Sequence, residues 1–288
     1  MTNLIKKYKF KEGLPLEFEI ISVRDLFSKS KDIVSKPHRS HFYHIIWVQE
    51  GTIKHLVDFN QIRVKSNSLF FIPRDFVHVF DTKNDYEGQI ILFTDDFFCF
   101  TKDDVKFLKS TILFNDLLSI TQIDLSATGQ EFASLFKILQ SEYYKAFDPF
   151  QHGVLKNLLH SFLLMAERER RQQDFQEIKP SSDLNYLLAF KDELEINFKT
   201  QKFVYFYAQQ IGITPKRLSR ATSEILSKSP KQMIDERVIL EAKRLLVHTS
   251  MSIKEIADYI GFEEPTNFNK FFRNNTTKTP LRFRESSS

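Results

Sequence analysis

Two short segments near the C-terminal end carry hydrogen-bonding side chains at the spacing of an exposed helical face. Residues 214–220 are TPKRLSR and residues 264–270 are EPTNFNK, each with proline at its second position. Proline suits the first turn of a helix, where its missing N–H costs no hydrogen bond. Arg and Lys can donate to the guanine edge in the major groove, and Asn can pair with the adenine edge. The chemistry available to both segments is therefore the recognition of DNA bases.

Each segment follows a nine-residue sequence that repeats in its physical pattern. Residues 204–212 (VYFYAQQIG) and 253–261 (IKEIADYIG) share apolar residues at positions 1, 4 and 8, Ala at position 5 and Gly at position 9. That spacing predicts a buried helical stripe, an alanine where a second helix approaches closely, and a glycine at a sharp turn. A helix, a glycine turn and a polar second helix are the plan of a DNA-binding helix-turn-helix unit, here present in tandem.

A longer helix is predicted between the two units. Ser229 is a suitable N-cap, Pro230 suits the first helical position, and residues 231–249 carry an apolar face. A helix of about 19 residues spans ~28 Å, whereas one turn of B-DNA is ~34 Å long. This spacing predicts two recognition helices that enter successive major grooves on one face of a duplex.

Charge and composition are consistent with a DNA partner and restrict the location of the protein. The 288 residues are enough for two domains, and from Ser181 onward there are 17 Lys and Arg against 13 Asp and Glu. The whole net charge of +4 therefore falls in the part with the tandem units, where phosphates would attract it. No stretch approaches the ~18 apolar residues of a membrane span, and the first ten residues lack the apolar run of a signal peptide. With the single Cys99, these features predict a cytoplasmic protein without a disulfide framework.

The rest of the chain changes its hydrophobic period near residue 100. Before it, short β-branched and aromatic runs separated by Asn, Asp, Gly and Pro predict a small antiparallel barrel or sandwich. After it, residues 132–143 and 152–172 have helical periodicity, and the polar segment 172–182 is the best linker candidate. We predict an α+β chain of two domains: a β-barrel sensor region at 1–100 with a helical dimerisation region at 101–175, a linker at 176–184, and an all-α tandem helix-turn-helix domain at 185–288.

From Gln201 to Arg284 the sequence resembles the DNA-binding domain of the AraC family of transcription regulators. The resemblance is carried by residues 242–246 (AKRLL), 252–257 (SIKEIA), 260–262 (IGF), 267–268 (NF), 271–273 (FFR), 279–280 (TP) and 283–284 (FR). The chain departs from the family at Thr222, where an aromatic residue is usual. It also departs at Ser227 and Thr277, where a glycine usually ends each recognition helix.

The resemblance implies sequence-specific binding of double-stranded DNA by the exposed faces of both recognition helices. The implied base contacts are Lys216, Ser219 and Arg220 in the first helix, and Pro265, Thr266, Asn267 and Lys270 in the second. The candidate phosphate contacts are Thr214, Lys243, Arg273 and Thr279, together with the amide ends of the helices. The alternative for each surface Lys or Arg is a solvated charge.

Residues 37–98 look like the cupin sensor domain that is common in this family. The match rests on residues 37–44 (PHRSHFYH), 50–51 (EG), 70–73 (FFIP) and 77–78 (VH). It implies a cupin-like barrel, a homodimer through the N-terminal half, contact with RNA polymerase in some members and control by a small organic effector. Candidate ligand contacts are Arg39, His44, Trp47 and His78. The alternative is a barrel filled by its own aromatic side chains.

The histidines also raise the alternative of a metal-dependent cupin enzyme with an accessory DNA-binding tail. Metal ligands on one side of a strand should lie two residues apart, whereas His41 and His44 lie three apart. We therefore expect no metal, no cofactor and no catalytic residue, and a regulator that is not an enzyme. A third interpretation is a co-regulator that acts through protein contacts of residues 130–172.

Overall fold

The computed structural model describes residues 5–10, 13–82, 86–115, 120–173 and 181–286. The chain divides into two compact units, one of Lys6–Gln176 and one of Glu177–Ser288 together with Met1–Ile5. Of the linker predicted at 176–184, residues 176–180 lie outside the described ranges and residues 182–184 are already helical. No described helix has both the length and the apolar character needed to cross a membrane.

The first unit contains ten strands within the described residues, arranged in two five-stranded sheets. The strands are β1 (Lys7–Tyr8), β2 (Phe18–Ser22), β3 (His38–Ser40), β4 (Tyr43–Glu50), β5 (Ile53–Val57), β6 (Asn60–Val64), β7 (Ser68–Ile72), β8 (Val77–Val79), β9 (Glu87–Phe93) and β10 (Gln122–Asp124). One sheet has the order β1-β3-β8-β5-β6, and the other has the order β10-β7-β4-β9-β2. The short β-branched and aromatic runs before residue 100, at residues 42–49, 53–59, 61–64, 68–72, 77–81 and 89–93, all contain strands.

Strand β4 lies at the centre of the second sheet, and both of its faces are buried. It pairs antiparallel with β7 and β9, so that Trp47 lies opposite Leu69 and Gln89. Because side chains alternate along a strand, Ile45 and Trp47 pack on one side, while Ile46 on the other side joins apolar residues of both sheets. A strand buried on both faces is a continuous apolar run, as residues 43–48 are.

Six helices accompany the sheets in the part of this unit that the structure describes. They are α1 (Val23–Val34), α2 (Asp95–Phe98), α3 (Lys102–Ser110), α4 (Ile112–Asn115), α5 (Gly129–Tyr143) and α6 (Gln151–Gln172). The apolar stripes of α5 and α6 cover the outer face of the second sheet, where Phe136 meets the ring of Trp47 edge-on at 5.5 Å between centroids. Helices α5 and α6 thus share a core with the strands of the second sheet, and the separate roles predicted for 1–100 and 101–175 stay predictions.

The N-terminal unit differs from its predicted form in two ways. The prediction is a barrel, but the strands form two separate sheets, because the strands at both ends of each sheet have only one neighbour among the described residues. Residues 23–34, within the region predicted as strands, form α1. That helix begins at Ser22, whose hydroxyl accepts a hydrogen bond from the Asp25 amide at 3.0 Å.

The second unit is helical throughout its described secondary structure. Its helices are α7 (Ser182–Asn197), α8 (Val204–Gln210), α9 (Pro215–Leu226), α10 (Pro230–His248), α11 (Ile253–Tyr259), α12 (Pro265–Thr276) and α13 (Pro280–Glu285). The predicted long helix is α10, with 19 residues. The hydroxyl of Ser229 accepts from the Gln232 amide at 3.2 Å, so this predicted N-cap is confirmed.

Helix α10 is fixed to α7 by charged side chains. Arg237 donates to the Glu195 carboxylate at 2.7 Å and lies 3.7 Å from the centroid of the Phe198 ring. On the buried side, Glu241 pairs with Arg237 and with Arg244, each at 3.3 Å. Glu241 and Arg244 are almost fully buried, and a charge buried this deeply is tolerated only when it is paired.

Candidate nucleic-acid interface

The two helix-turn-helix units end their first helices with the same hydrogen-bond pattern. At the end of α8, the amide of Ile213 donates to Ala208 O at 2.9 Å and that of Gly212 donates to Gln209 O at 3.1 Å. At the end of α11, Phe262 donates to Ala257 O at 2.9 Å and Gly261 donates to Asp258 O at 3.1 Å. These paired bonds form a Schellman motif, which satisfies carbonyls that the helix leaves free. The repeat predicted from sequence is therefore a repeat in backbone geometry.

Both turns depend on a residue with positive φ. Gly212 has φ of 70° and Gly261 has φ of 79°, values that a residue with a Cβ adopts only with strain. The predicted turn glycines are thus confirmed. Each turn leads directly into the second helix of its unit, so the glycine sets where that helix begins.

The first recognition helix, α9, separates its buried and polar residues cleanly. The hydroxyl of Thr214 accepts from the Arg217 amide at 3.2 Å, and Pro215 occupies the first turn. Leu218 is completely buried. On the other face Lys216 and Arg220 are exposed and Ser219 is half-buried. All three predicted base-contact residues of α9 therefore reach or approach the surface.

The second recognition helix, α12, has the same division with a different cap. Phe268 and Phe272 are completely buried against the unit. The exposed face carries Thr266, Asn267 and Lys270, while Pro265 is half-buried in the first turn. Glu264 precedes the helix and its side chain makes no capping hydrogen bond.

The exposed cationic side chains of α9 and α12 have no bonding partner among the described residues. Across the described ranges, the side chains of Lys216, Arg220, Lys270 and Arg273 form no hydrogen bond and no ion pair. Such side chains are available to the edges of bases or to phosphates without first breaking a contact.

The remaining phosphate candidates have structural contacts of their own. Thr214 is exposed, and Thr279 is a half-buried N-cap whose hydroxyl accepts from the Arg282 amide at 3.4 Å. Lys243 is half-buried, with Nζ 5.6 Å from the centroid of the Phe283 ring. The Thr279 hydroxyl and the Lys243 ammonium can still donate hydrogen bonds to a phosphate. Their contacts within the protein fix both side chains before DNA binds.

Two arginines in the same region act inside the protein. The Arg217 guanidinium pairs with Asp183 at 2.7 Å and donates to the Ser182 hydroxyl at 2.9 Å, which ties α9 to the first turn of α7. Arg284 donates to Leu246 O at 3.0 Å and to Met251 O at 2.5 Å, which holds α13 against the end of α10. Residue type alone does not separate them from Arg220; only the direction of each side chain does.

Both recognition helices end in the left-handed region without glycine. Ser227 has φ of 52° and Thr277 has φ of 65°. The amide of Ser227 donates to Ser223 O and that of Thr277 donates to Arg273 O, both at 2.9 Å. The positions where the family usually has glycine therefore keep the glycine conformation with a side chain attached. Thr222, the other departure, is completely buried and its hydroxyl donates to Ser219 O at 3.2 Å.

The first unit brings four histidines together between its two sheets. His38, His44, His55 and His78 are all at most 5% exposed. The His78 ring lies 4.3, 4.7 and 5.4 Å from the centroids of His38, His44 and His55. His38 and His55 were not among the predicted ligand contacts, because only strand pairing brings each of them to His78.

The predicted ligand contacts do not line one site. Trp47 packs with the helices on the opposite face of β4 from His44, as strand alternation requires. Arg39 is half-buried on β3, whereas its neighbour His38 is buried. Of the four candidates, His44 and His78 share the space between the sheets with His38 and His55.

The arrangement of these histidines differs from that of a metal site. His55 Nε2 and His78 Nδ1 are hydrogen-bonded to each other at 3.2 Å, and His38 Nδ1 is bonded to Lys36 O at 2.8 Å. In the part of the chain that the structure describes, no group of three or more His, Cys, Asp or Glu is placed to hold a metal ion. His41 and Glu50 are both exposed.

Burial keeps the histidine cluster neutral. Burial, and after it the charge of His38, lower the pKa of His55 from 6.5 to about 3, against the opposing effect of Asp81. The pKa values of His44 and His78 lie well below 6.5, first because of burial and then because of the neighbouring imidazoles. The pKa of His38 is lowered by burial against the opposing effect of the Lys36 carbonyl. Protonation of these histidines therefore destabilises the folded state.

Sequence profiles of known families match both compact units. An AraC-like ligand binding domain matches residues 26–165, and a helix-turn-helix domain matches residues 207–286. The chain is similar to the HTH-type transcriptional activator RhaR of Enterobacter sp. (strain 638), with 22% identity over 272 residues and 93% of each chain covered. It is also similar to the HTH-type transcriptional activator RhaS of Escherichia coli O157:H7, with 22% identity over 260 residues, 86% of this chain and 87% of that one.

Two of the solved structures that the chain matches differ in how much of the chain they cover. ToxT from Vibrio cholerae matches with a TM-score of 0.44 and 14% identity, covering 94% of this chain and 98% of that one. An AraC-type DNA-binding domain protein from Chromobacterium violaceum matches with a TM-score of 0.34 and 24% identity, covering 38% and 97%.

Proposed function

Since the chain belongs to the AraC family of DNA-binding transcription regulators, we propose that it reads two adjacent major grooves of one duplex with α9 and α12. The observation that carries the proposal is the duplicated unit: each first helix ends in the same Schellman turn and each second helix presents a polar face. Helix α10, with 19 residues, spans ~28 Å between the units. That length is close to the ~34 Å that separates successive major grooves on one face.

Under this proposal the exposed residues divide by chemistry. Arg220 and Lys216 donate to guanine edges, and Asn267 pairs with an adenine edge. Ser219, Thr266 and Lys270 complete the base contacts, and Pro265 touches sugar or a thymine methyl group. The phosphate contacts are Thr214, Lys243, Arg273 and Thr279, which set the position on the duplex and carry no base preference.

The experiment that tests the proposal measures binding of the full-length protein to duplexes from the region upstream of its own gene. We expect one or a few duplexes to bind tightly, with log Kd rising linearly with log salt by about 0.9 per neutralised phosphate. The double variant Arg220→Ala, Lys270→Ala should lose this preference while it stays folded. Equal affinity for every duplex tested would contradict the proposal.

We propose further that a small organic molecule controls the N-terminal unit. Supporting this, His44 Nδ1, His55 Nδ1 and His78 Nε2 are buried ring nitrogens without a hydrogen-bond partner among the described residues. Buried polar atoms are normally paired, so a hydroxylated ligand or water is a suitable partner. Thermal unfolding monitored through Trp47, the only tryptophan of the chain, should shift upward with such a ligand, and His78→Phe should abolish the shift.

The remaining parts of the proposal concern partners and location. We propose a cytoplasmic homodimer that pairs through the N-terminal half and meets RNA polymerase at the promoter, and we assign no reaction to it. The rival is a metal-dependent enzyme with an accessory DNA-binding tail. Elemental analysis of purified protein separates the two, since stoichiometric iron, manganese or zinc would favour the rival.

A further inference from the structure

The turn of the second helix-turn-helix unit is held by the segment that precedes the first unit. That segment runs from 198 to 203, between α7 and α8. The ammonium of Lys202 donates to Ile260 O at 2.8 Å and to Gly261 O at 3.1 Å, and also to Lys199 O at 2.9 Å. Ile260 and Gly261 form the end of α11 and the start of the turn that leads to α12. One side chain therefore joins parts of the two units that lie about 60 residues apart.

The neighbouring Lys199 holds the same helix end. Its Nζ donates to the Tyr259 hydroxyl at 2.7 Å and lies 4.0 Å from the centroid of the Tyr259 ring. The two backbones are also in direct contact, since a Cβ added to Gly261 would lie 1.9 Å from Lys199 O. Gly261 is therefore required twice, for its positive φ and for the close approach of the Lys199 carbonyl.

The chemistry of this contact suits a helix C-terminus. The last carbonyls of a helix have no partner within it and carry a partial negative charge, which a lysine ammonium complements. Lys202 is half-buried, and burial lowers its pKa, with the charge of Lys231 adding to the effect. The ammonium has thus exchanged water for fixed carbonyls, which restricts its position.

The first unit lacks the equivalent contact. Its turn glycine, Gly212, has the same positive φ, but a Cβ added there would meet nothing within 4 Å. The contact of Lys199 and Lys202 with the end of α11 is therefore not a general requirement of a helix-turn-helix turn. It is a contact specific to the second unit, and it joins that unit to the segment from which the first unit starts.

We propose that Lys199 and Lys202 are positioning residues that fix α12 relative to α9, so that the protein reads the spacing between its two half-sites rigidly. This inference rests on the proposed two-groove binding. Helix α10 joins the units once, and the lysine contact joins them a second time. Two connections close a ring of contacts, which prevents the hinge motion that one connection permits. Rigid alignment increases the affinity for duplexes whose two half-sites have one particular spacing. At other spacings both half-sites cannot be bound together, and that extra affinity is lost.

The test measures spacing discrimination by the full-length protein. Duplexes are first selected from a random-sequence pool with the wild type, and then one base pair is inserted or deleted between the half-sites. Each base pair rotates one half-site by about 35° relative to the other. We expect the wild type to lose about tenfold or more in affinity per change, and Lys202→Met to lose only about threefold, because its units can follow the altered spacing. At the selected spacing, Lys202→Met should bind more weakly than the wild type.

Three further variants make the test specific. Lys202→Arg keeps donors for the carbonyls and should restore wild-type discrimination, whereas Lys199→Met should relax it. Lys228→Met removes an equal charge from the same unit, where Lys228 pairs with Glu236 at 2.7 Å, and should leave discrimination unchanged. A merely structural role would lower affinity at every spacing by the same factor, and that result would overturn the proposal. A wild type that selects no sequence would instead overturn the two-groove proposal.

Discussion

At the scale of single residues, the direction of a side chain separates the proposed DNA contacts from arginines that pair inside the protein. Arg217 and Arg220 lie on the same helix three residues apart, yet Arg217 pairs with Asp183 at 2.7 Å while Arg220 is exposed. Their charge and helix propensity are the same. The difference follows from the neighbour that each side chain meets. Of these two arginines, only Arg217 lies beside a carboxylate of α7.

Arg220 and Arg273 are expected to contribute to binding in different ways. Arg220→Ala should cost about 1–3 kcal/mol at one base position and relax the preference there, because a bidentate contact to a guanine edge is lost. Arg273→Ala should weaken binding to all sequences alike and reduce the salt slope by about one. Titrations of duplexes that differ at single base pairs, repeated at several salt concentrations, measure both effects. A uniform loss for Arg220→Ala would reassign this residue to a phosphate.

The histidine cluster should make the N-terminal unit sensitive to acid. The pKa of His55 is about 3 in the folded protein and 6.5 for the ordinary side chain. Between these values the unfolded chain binds a proton that the folded chain does not. The free energy of unfolding therefore falls as pH falls below 6.5, by about 1.4 kcal/mol per pH unit for each such histidine.

Urea unfolding followed through Trp47 between pH 7.5 and 5 measures this loss. His55→Gln should reduce the dependence of the free energy of unfolding on pH by about 1.4 kcal/mol per pH unit, which is the contribution of one proton. An unchanged slope would contradict the proposed origin of the acid sensitivity.

At the scale of elements, the ends of helices matter as much as their faces. The turns after α8 and α11 use glycine at positive φ, whereas the ends of α9 and α12 place Ser227 and Thr277 at φ of 52° and 65°. A side chain in the left-handed region costs about 1–2 kcal/mol. The second helix of each unit is therefore less firmly ended than the first.

Glycine at these two positions should stabilise the C-terminal unit. Ser227→Gly and Thr277→Gly are each expected to raise the free energy of unfolding by about 0.5–1 kcal/mol, which is the relief of strain less the extra entropy of an unfolded glycine. Thr277 should gain more, because a β-branched residue tolerates positive φ least. Thermal unfolding followed by circular dichroism measures the change. A Ser223→Gly control, inside α9, should destabilise the helix, and stabilisation by all three would contradict the argument.

At the scale of the whole molecule, the chain combines two compact units with different kinds of core. In Lys6–Gln176 the second sheet is buried on both faces, by the other sheet and by α5 and α6. In the C-terminal unit, helices pack around α10. Ion pairs and lysine hydrogen bonds join these helices in addition to their apolar contacts.

The outer sides of α5 and α6 are where we expect the proposed dimer to form. Leu164 on α6 is 49% exposed although it is apolar. Leu164→Glu should weaken association by about 10- to 100-fold if its burial in the dimer contributes ~1.5–3 kcal/mol. Sedimentation equilibrium of the full-length protein gives the constant. Leu281→Glu, at an exposed leucine of α13, is the matched control and should leave it unchanged. A monomeric wild type would remove the proposed dimer.

The sequence by itself determined the features that depend on neighbours within about ten residues. The glycine turns, the N-cap at Ser229, the length of α10 and the exposed faces of α9 and α12 all follow from local spacing, and the structure has them as predicted. Local rules were sufficient here because capping bonds and helical faces involve residues at most one or two turns apart.

Only the tertiary structure decided which distant residues meet. His38 and His55 reach His78 through strand pairing, Lys202 reaches Gly261 across 59 residues, and the strands close into two sheets instead of one barrel. No periodicity records these contacts, because they depend on how whole strands and helices pack. Sequence spacing therefore predicted where the exposed polar faces of α9 and α12 lie, and packing decided what holds those faces in place.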